Sequence, residues 1–529
     1  MRQYLRCLAA GSLLLALSAS HPAWAQKRGG ILRLASPTSP ANMSIHETGT
    51  IVAEMPMMGV FNNLIVFDQH KPQVSLDTIV SDLATSWSWN EDDTALTFQL
   101  RQDVKWHDGK PFTAADVKCT WDLLLDKRPD KLRLNPRKTA YENLTDVTTN
   151  GNYEVTFKLK RPQAAFPMLL AGGFSAIYPC HLTATHMRQH PIGTGPFKFV
   201  EFKPNEHIKV TRNSDYWKQG RPYLDGIEYK IIPNVSTRLL SFVSGKFDFL
   251  PGVSIPLLKD VKSQAPDAIC RVAASNINRT LGINRDKPPF DNRDLRRAMT
   301  LSLDRQSYID ILTEGQGDVG GVMMPAPEGI WGMPPDLLRT LPGYDPDIPK
   351  NRAEGRRIME KLGYGPDRRL AVTVSTRNIA TYRDTSVILI DQLKEIYIDG
   401  VLEPIDTVNW YPRVMRKDFT VTVNVSENSL DDPDPIFYQN YVCGAERNYT
   451  GYCNPELDQQ IDRQSMESNP VKRRQLVWEI ERKLAEDDAR PIIFYLRGAH
   501  CWHPQVKGLT IMVNGIFNGS RFEDLWLDN

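Results

Sequence analysis

Three aspartates, Asp431, Asp432 and Asp434, crowd together inside the stretch VTVNVSENSLDDPDPIFY at positions 421–438. Its apolar start reads as a strand, and Pro433 and Pro435 break the remainder into a loop. Open α/β sheets place ligands at such strand ends. Carboxylates there can offer acceptors and countercharge to a polar solute, or serve their own chain as turn and helix cap; both readings stay open. Arg377 is a second reactive group. Its planar guanidinium suits a carboxylate or phosphate gripped by two parallel bonds, the alternative being a solvated surface arginine. His186 and His190, four residues apart in YPCHLTATHMRQH, would share a helix face at a spacing that suits a divalent metal. That segment lacks the glutamate of HExxH, so no zinc hydrolase is indicated, and polar surface histidines are the competing reading.

Other chemistry finds little support. Residues 315–320, GQGDVG, match GxGxxG formally but follow a helical stretch, where a nucleotide fold needs a strand; they read as a helix stop and loop. No Walker motif, GxSxG elbow or paired catalytic constellation appears, and no cofactor is implied. The 529 residues are 41% hydrophobic and 24% charged, values of an ordinary soluble globular chain with room for about three domains. A formal net charge of +1 and the absence of a long Lys/Arg run argue against nucleic acid as a partner.

Residues 1–25 are a different material. Arg2 and Arg6 precede an apolar run at 8–17 and the small-x-small site Ala23-Trp24-Ala25, the pattern of an export signal cleaved before Gln26. Loss of the two arginines takes the formal charge from +1 to about −1. Cys7 precedes the apolar run, so a lipoprotein is not expected. Export places the other cysteines in an oxidising compartment, where disulfides are permitted. Cys443 and Cys453 bracket the polar loop GAERNYTGY; a bridge, two free thiols or half of a zinc site are the choices, and no CxxC or nearby histidine supports zinc. Cys119 falls within a helical pattern and reads as a small buried hydrophobe.

These groups need elements to position them. For Arg377 the pattern predicts a strand at 370–375 and a helix over 380–397. For the aspartates it predicts the strand at 421–424 and, later, an amphipathic helix over 472–487 with Leu476, Val477, Ile480 and Leu484 as its stripe. A strand at 491–496 comes next. Earlier come a strand at 29–36, a helix over 51–64, a hairpin at 96–106 and a helix capped by Thr113 with Asp116 at its start. Strands also read at 153–159, 197–202, 207–212 and 227–231, and Asp291 or Asn292 caps a helix carrying Leu295, Ala298, Met299 and Leu303. Gly193 and Gly195 punctuate the approach to 197–202 as positions of unusual backbone angle. Alternating strands and helices make the fold class α/β.

Three segments carry a resemblance. GTGPF at 193–197, followed by a basic-aromatic hairpin, RNSDYW and PYLD, is the first. LATSWSWNEDDTALTFQLRQDVKWHDGKPFTAADVKCTWDLL at 83–124 and RTLGINRDKPPFDNRDLRRAMTLSLDRQSYI at 279–309 are the others. Together they resemble the extracytoplasmic solute-binding proteins of the peptide/nickel (oligopeptide and dipeptide) ABC importers, over essentially the whole mature chain. The resemblance implies a two-lobed, type II-like periplasmic binding fold with an inserted domain, an interlobe cleft and a two-stranded hinge. Mapped here, lobe I takes 26–60, 190–280 and 497–529, the inserted domain 61–189, and lobe II 281–496. The role implied is capture of a peptide or related polar solute in the periplasm by a monomer, without catalysis, and delivery to membrane permease subunits.

The resemblance also nominates residues. Peptide-binding relatives place an aspartate three positions before Asp432-Pro433-Asp434 to pair with the ligand's amino group; here that position is Ser429, after Asn428, and a hydroxyl supplies no countercharge. Asp431 and Asp432 are the nearest substitutes. Arg377 falls within one position of the arginine that dipeptide-type relatives use for a ligand carboxylate, and Trp410 aligns with a tryptophan common in the second lobe. Glu47 and Thr48 sit where first-lobe contacts are expected, with Glu47 a substitute amine acceptor. Relatives carry a disulfide in the loop bracketed by Cys443 and Cys453. A metal-dependent periplasmic hydrolase using His186 and His190, and a peptide-holding chaperone, are the rival functions.

Overall fold

The strand that leads into the aspartates, Val421–Asn424, lies inside a ten-stranded sheet. The computed structural model describes residues 26–48, 50–426 and 430–528, so the expected leader, Asn428 and Ser429 lie outside the described residues. On one side of Val421–Asn424 runs Leu370–Arg377, parallel to it and to the edge strand Ile398–Ile405. On the other side runs Ile269–Ile283, antiparallel both to Val421–Asn424 and to Ile492–Trp502. The order continues through Phe249–Val253, Ile31–Ser36, Gly226–Ile231, His207–Arg212 and Phe197–Lys203. A separate antiparallel sheet of four strands, Ala84–Trp89, Ala95–Leu100, Glu154–Leu159 and Leu144–Asn150, is backed by the helix Ala114–Leu124.

Apolar burial divides between two principal centres. Leu32, Leu34, Phe61, Trp121, Phe157, Tyr229 and Trp502 belong to one, Leu281, Met299, Val374, Val421 and Phe494 to the other. Ile269–Ile283 and Ile492–Trp502 belong to both ends of the molecule. Leu281 and Ile283 enter the second centre, while Cys270 pairs in register with Cys501 and forms a disulfide beside Phe242 and Val261. The pairing of these two strands thus runs from one core to the other, with register shifts between Ala274 and Asn278 and between Arg279 and Thr280.

Local chemistry explains most elements. Thr113 and Asp116 form the reciprocal cap, the Thr113 N–H donating to Asp116 Oδ2 at 2.9 Å. Asn292, not Asp291, caps Arg293–Leu301. The helix expected over 51–64 stops at Met58, since Val60 is held by another segment: Gly195 N donates to Val60 O at 2.9 Å. The glycines of GTGPF are needed for this approach rather than for a left-handed backbone. A Cβ on Gly193 would lie 1.9 Å from the Val60 carbonyl oxygen. The helix after Arg377 is Ala380–Lys394; Tyr397, at φ +64°, turns the chain into Ile398–Ile405, a strand the periodicity did not indicate.

The cysteines pair as Cys119–Cys180, Cys270–Cys501 and Cys443–Cys453. The reading of Cys119 as an isolated hydrophobe is therefore corrected. It lies 61 residues from its partner, a separation at which spacing carries no pairing information.

Candidate functional site

Arg377 closes its strand at the carboxyl end and is buried. It donates to Tyr382 Oη at 3.0 Å and Thr407 Oγ1 at 3.3 Å, with its guanidinium 5.0 Å from the Tyr382 ring centre and 5.6 Å from that of Tyr411. Arg279, from Ile269–Ile283, approaches the same Tyr382 ring at 4.4 Å and donates to Thr381 Oγ1 at 2.8 Å. Two guanidiniums thus converge on one aromatic ring where the parallel strands end. Sequence reasoning found Arg377 and missed Arg279, which nothing in its local pattern distinguishes from a surface arginine. Trp410, on Thr407–Met415, packs with Val414, Phe419 and Tyr449; its Nε1 is buried with no hydrogen-bond partner among the described residues.

The aspartates are organised differently. Asp432 receives two bonds from Arg473, at 2.8 and 2.9 Å, and caps Pro433–Asn440 by accepting from Asp434 N at 2.9 Å. Asp434 accepts from Gln464, Arg473, Ser465 and Gln163 at 2.6–3.0 Å. Against the cost of burial, these two carboxylates hold the Arg473 guanidinium well above the usual arginine range. Asp431 Oδ2 accepts from Ile330 N at 3.0 Å; burial, opposed by that bond and reinforced by Asp432, pushes its carboxyl up to about 7. The turn-and-cap arrangement therefore accounts for Asp432 and Asp434. Arg473 had a signal that was overlooked: it stands four residues before Val477 and seven before Ile480, on the buried stripe of its own helix.

Glu47 is spoken for within its own region. Oε2 accepts from Arg188 Nε at 2.6 Å and Oε1 from Arg133 N at 2.7 Å, so both oxygens serve chain contacts rather than standing open to an amine. The Thr48 carbonyl accepts from Arg137 at 2.8 Å, and Arg137 in turn lies 3.3 Å over Phe174. Leu430, directly after the undescribed positions, packs with the first core, its Cδ2 3.4 Å from where a Cβ on Gly172 would stand. The Leu430 carbonyl accepts from Asn276 Nδ2 at 3.2 Å. The start of the acidic run thus meets both the first core and a long shared strand.

His186 and His190 have ring centres 5.9 Å apart, but no group of three or more His, Cys, Asp or Glu able to hold a metal occurs among the described residues. Cys180 is consumed by its disulfide, and His181 pairs with Asp108 at 2.7 Å. Glu314 and Gly315 adopt positive φ after Arg305–Thr313, which makes 315–320 the helix stop expected. No described helix is long and apolar enough to cross a membrane. A small cavity of about 30 Å³ among Thr300, Arg305, Tyr344, Glu481 and Arg490 lies away from Arg377.

Residues 78–448 match the family model for the middle region of bacterial extracellular solute-binding proteins, family 5. The oligopeptide-binding protein AppA of Bacillus subtilis is 27% identical over 435 residues, 76% of this chain and 75% of its own. The periplasmic binding protein DppA of Helicobacter pylori, solved with the peptide STSA, superposes with a TM-score of 0.83 at 20% identity, over 95% of this chain and 99% of the other. AgaA of A. tumefaciens R10, solved with agropinic acid, gives 0.82 at 20% identity, over 94% and 99%. The fold is accordingly the two-lobed one of these binding proteins.

Proposed function

Because the chain belongs to the bacterial extracellular solute-binding proteins of family 5, we propose that it captures a peptide or related small polar solute between its lobes and hands it to the permease of an ABC importer. The reading divides the chain as lobe I (26–60, 190–280, 497–529), an inserted domain (61–189) and lobe II (281–496). The hinge is formed where the chain crosses between the lobes, near 281–284 and 492–497, at the ends of the paired strands Ile269–Ile283 and Ile492–Trp502. Residues 1–25 direct export to the periplasm and are removed. The protein acts as a monomer and releases its solute unaltered.

One observation carries the proposal: Arg377 and Arg279 share Tyr382 at the strand ends, beside the shared strands that join the two cores. Guanidiniums on an aromatic face recognise planar anions, and a carboxylate is the group common to peptides and opine-like conjugates. Among the proteins compared, one is solved with a peptide and another with agropinic acid, both compatible with a carboxylate-reading lobe. Micromolar capture corresponds to about −8 kcal/mol, within reach of a few charge-assisted bonds plus stacked surface. Native mass spectrometry of the mature chain tests the proposal directly. A co-purifying acid of a few hundred daltons is expected; chemical conversion of that molecule by the purified protein would count against it.

A further inference from the structure

Across the mouth between the inserted domain and lobe II, we propose that Gln163 and Arg161 are positioning residues for capture, gripping the Asp-Pro-Asp helix and its neighbour only when the lobes are shut. The proposal rests on the two-lobed capture reading. Gln163 stands four residues after the last strand of the four-stranded sheet and is buried. Its Oε1 accepts from Asn143 Nδ2 at 3.0 Å, which aims Nε2 outward to donate to Asp434 Oδ2 at 2.7 Å. Asn143 also bonds both backbone groups of Arg161, at 3.0 and 3.2 Å. Arg161 then reaches Asp462 and, at 2.5 Å, Tyr438 Oη, which itself donates to Asp462 at 2.7 Å. Thr139 Oγ1 donates to Glu446 at 3.0 Å beside them.

At the Gln163–Asp434 crossing both groups keep other partners at home, while the Arg161 guanidinium bonds, among the described residues, only across it, to Tyr438 and Asp462. Asp434 retains Gln464, Ser465 and Arg473, while Gln163 retains Asn143. Separation therefore exposes hydrogen-bonding groups that water can satisfy; its apolar cost is the withdrawal of Leu430 from the first core. Such a contact is suited to repeated making and breaking. It also gives the Asp-Pro-Asp run a role distinct from holding the solute: Asp434 registers that the inserted domain has arrived. Because neither Gln163 nor Arg161 needs to touch the guest, they add the same increment for every solute and act on its escape.

The test uses the mature full chain as wild type, Gln163→Ala, Arg161→Ala, the double variant, and Asp462→Asn, whose half-exposed side chain spares folding. Small-angle scattering without added solute should show the double variant and Asp462→Asn more extended than wild type, with Arg161→Lys partly restoring compactness. Melting temperatures of the unliganded proteins should stay level, since both halves keep their internal bonds. Calorimetry and stopped flow with trialanine and with glutathione should show affinity falling roughly 5–20-fold, equally for both and through dissociation. Identical scattering of wild type and variants, or a loss confined to one solute, overturns the inference. Failure of both probes to compact the wild type speaks against capture of such solutes, while the solute-free comparison still decides the latch.

Discussion

The arginine corner and the aspartate turn are both buried, charged and adjacent to the same strand, yet their charges are put to opposite use. At the turn, Asp432 and Asp434 meet Arg473, Gln464, Ser465 and Gln163, and the chain itself consumes the acceptors. At the corner, Arg377 and Arg279 bond hydroxyls and lie on an aromatic ring, which fixes the position and plane of each guanidinium. The acidic motif is thus bonded into its own chain, and Arg377 is the residue we propose for recognition. Density of charge in sequence measures neither availability nor function; the partner supplied by the fold does.

The largest expected effect breaks the scaffold. Arg473→Ala leaves two carboxylates buried without their cation and should destabilise the fold by about 3–5 kcal/mol, read from urea unfolding. A loss below about 1 kcal/mol would mean that the turn is not held this way. Next, Arg377→Ala should weaken binding of an acidic solute at least about tenfold, about 1.4 kcal/mol, with little change in unfolding. Unchanged affinity removes Arg377 from the site and collapses the contrast between the two regions.

A smaller effect sharpens the comparison through pH. The Asp431 carboxyl is raised to about 7 by burial, so the folded state holds a proton that the unfolded chain has released above about 4. Stability is therefore greatest at low pH in this window and is lost as pH rises toward 7, at up to about 1.4 kcal/mol per pH unit. Asp431→Asn should remove that slope from the difference between variant and wild type. Parallel pH profiles would show that Asp431 stays ionised.

Much of the fold was legible because it rests on local rules. The strand at 29–36, the Thr113–Asp116 cap and the helix beginning at Arg293 follow from period and capping chemistry that neighbours in sequence supply. The Cys443–Cys453 bridge spans only ten residues, and the family resemblance pointed to it. The candidate site was less legible. Arg377 was visible, whereas Arg279 became relevant only when Ile269–Ile283 brought it to Tyr382, 103 positions later in the chain. Glu47 looked available until Arg188, 141 residues away, was folded against it.

By itself the amino-acid order determined many of the strands and helices, several of the caps that start them and the kinship of the chain, though not the edge strand Ile398–Ile405. Those depend on contacts within a few residues or on motifs kept in register. Only the tertiary structure decided which charges are neutralised, that Cys119 meets Cys180, and that Gln163 reaches Asp434 across 271 positions. The reason is physical: a charge's state is set by whatever lies within a few ångströms of it, and those neighbours come from chain segments whose separation no local pattern encodes.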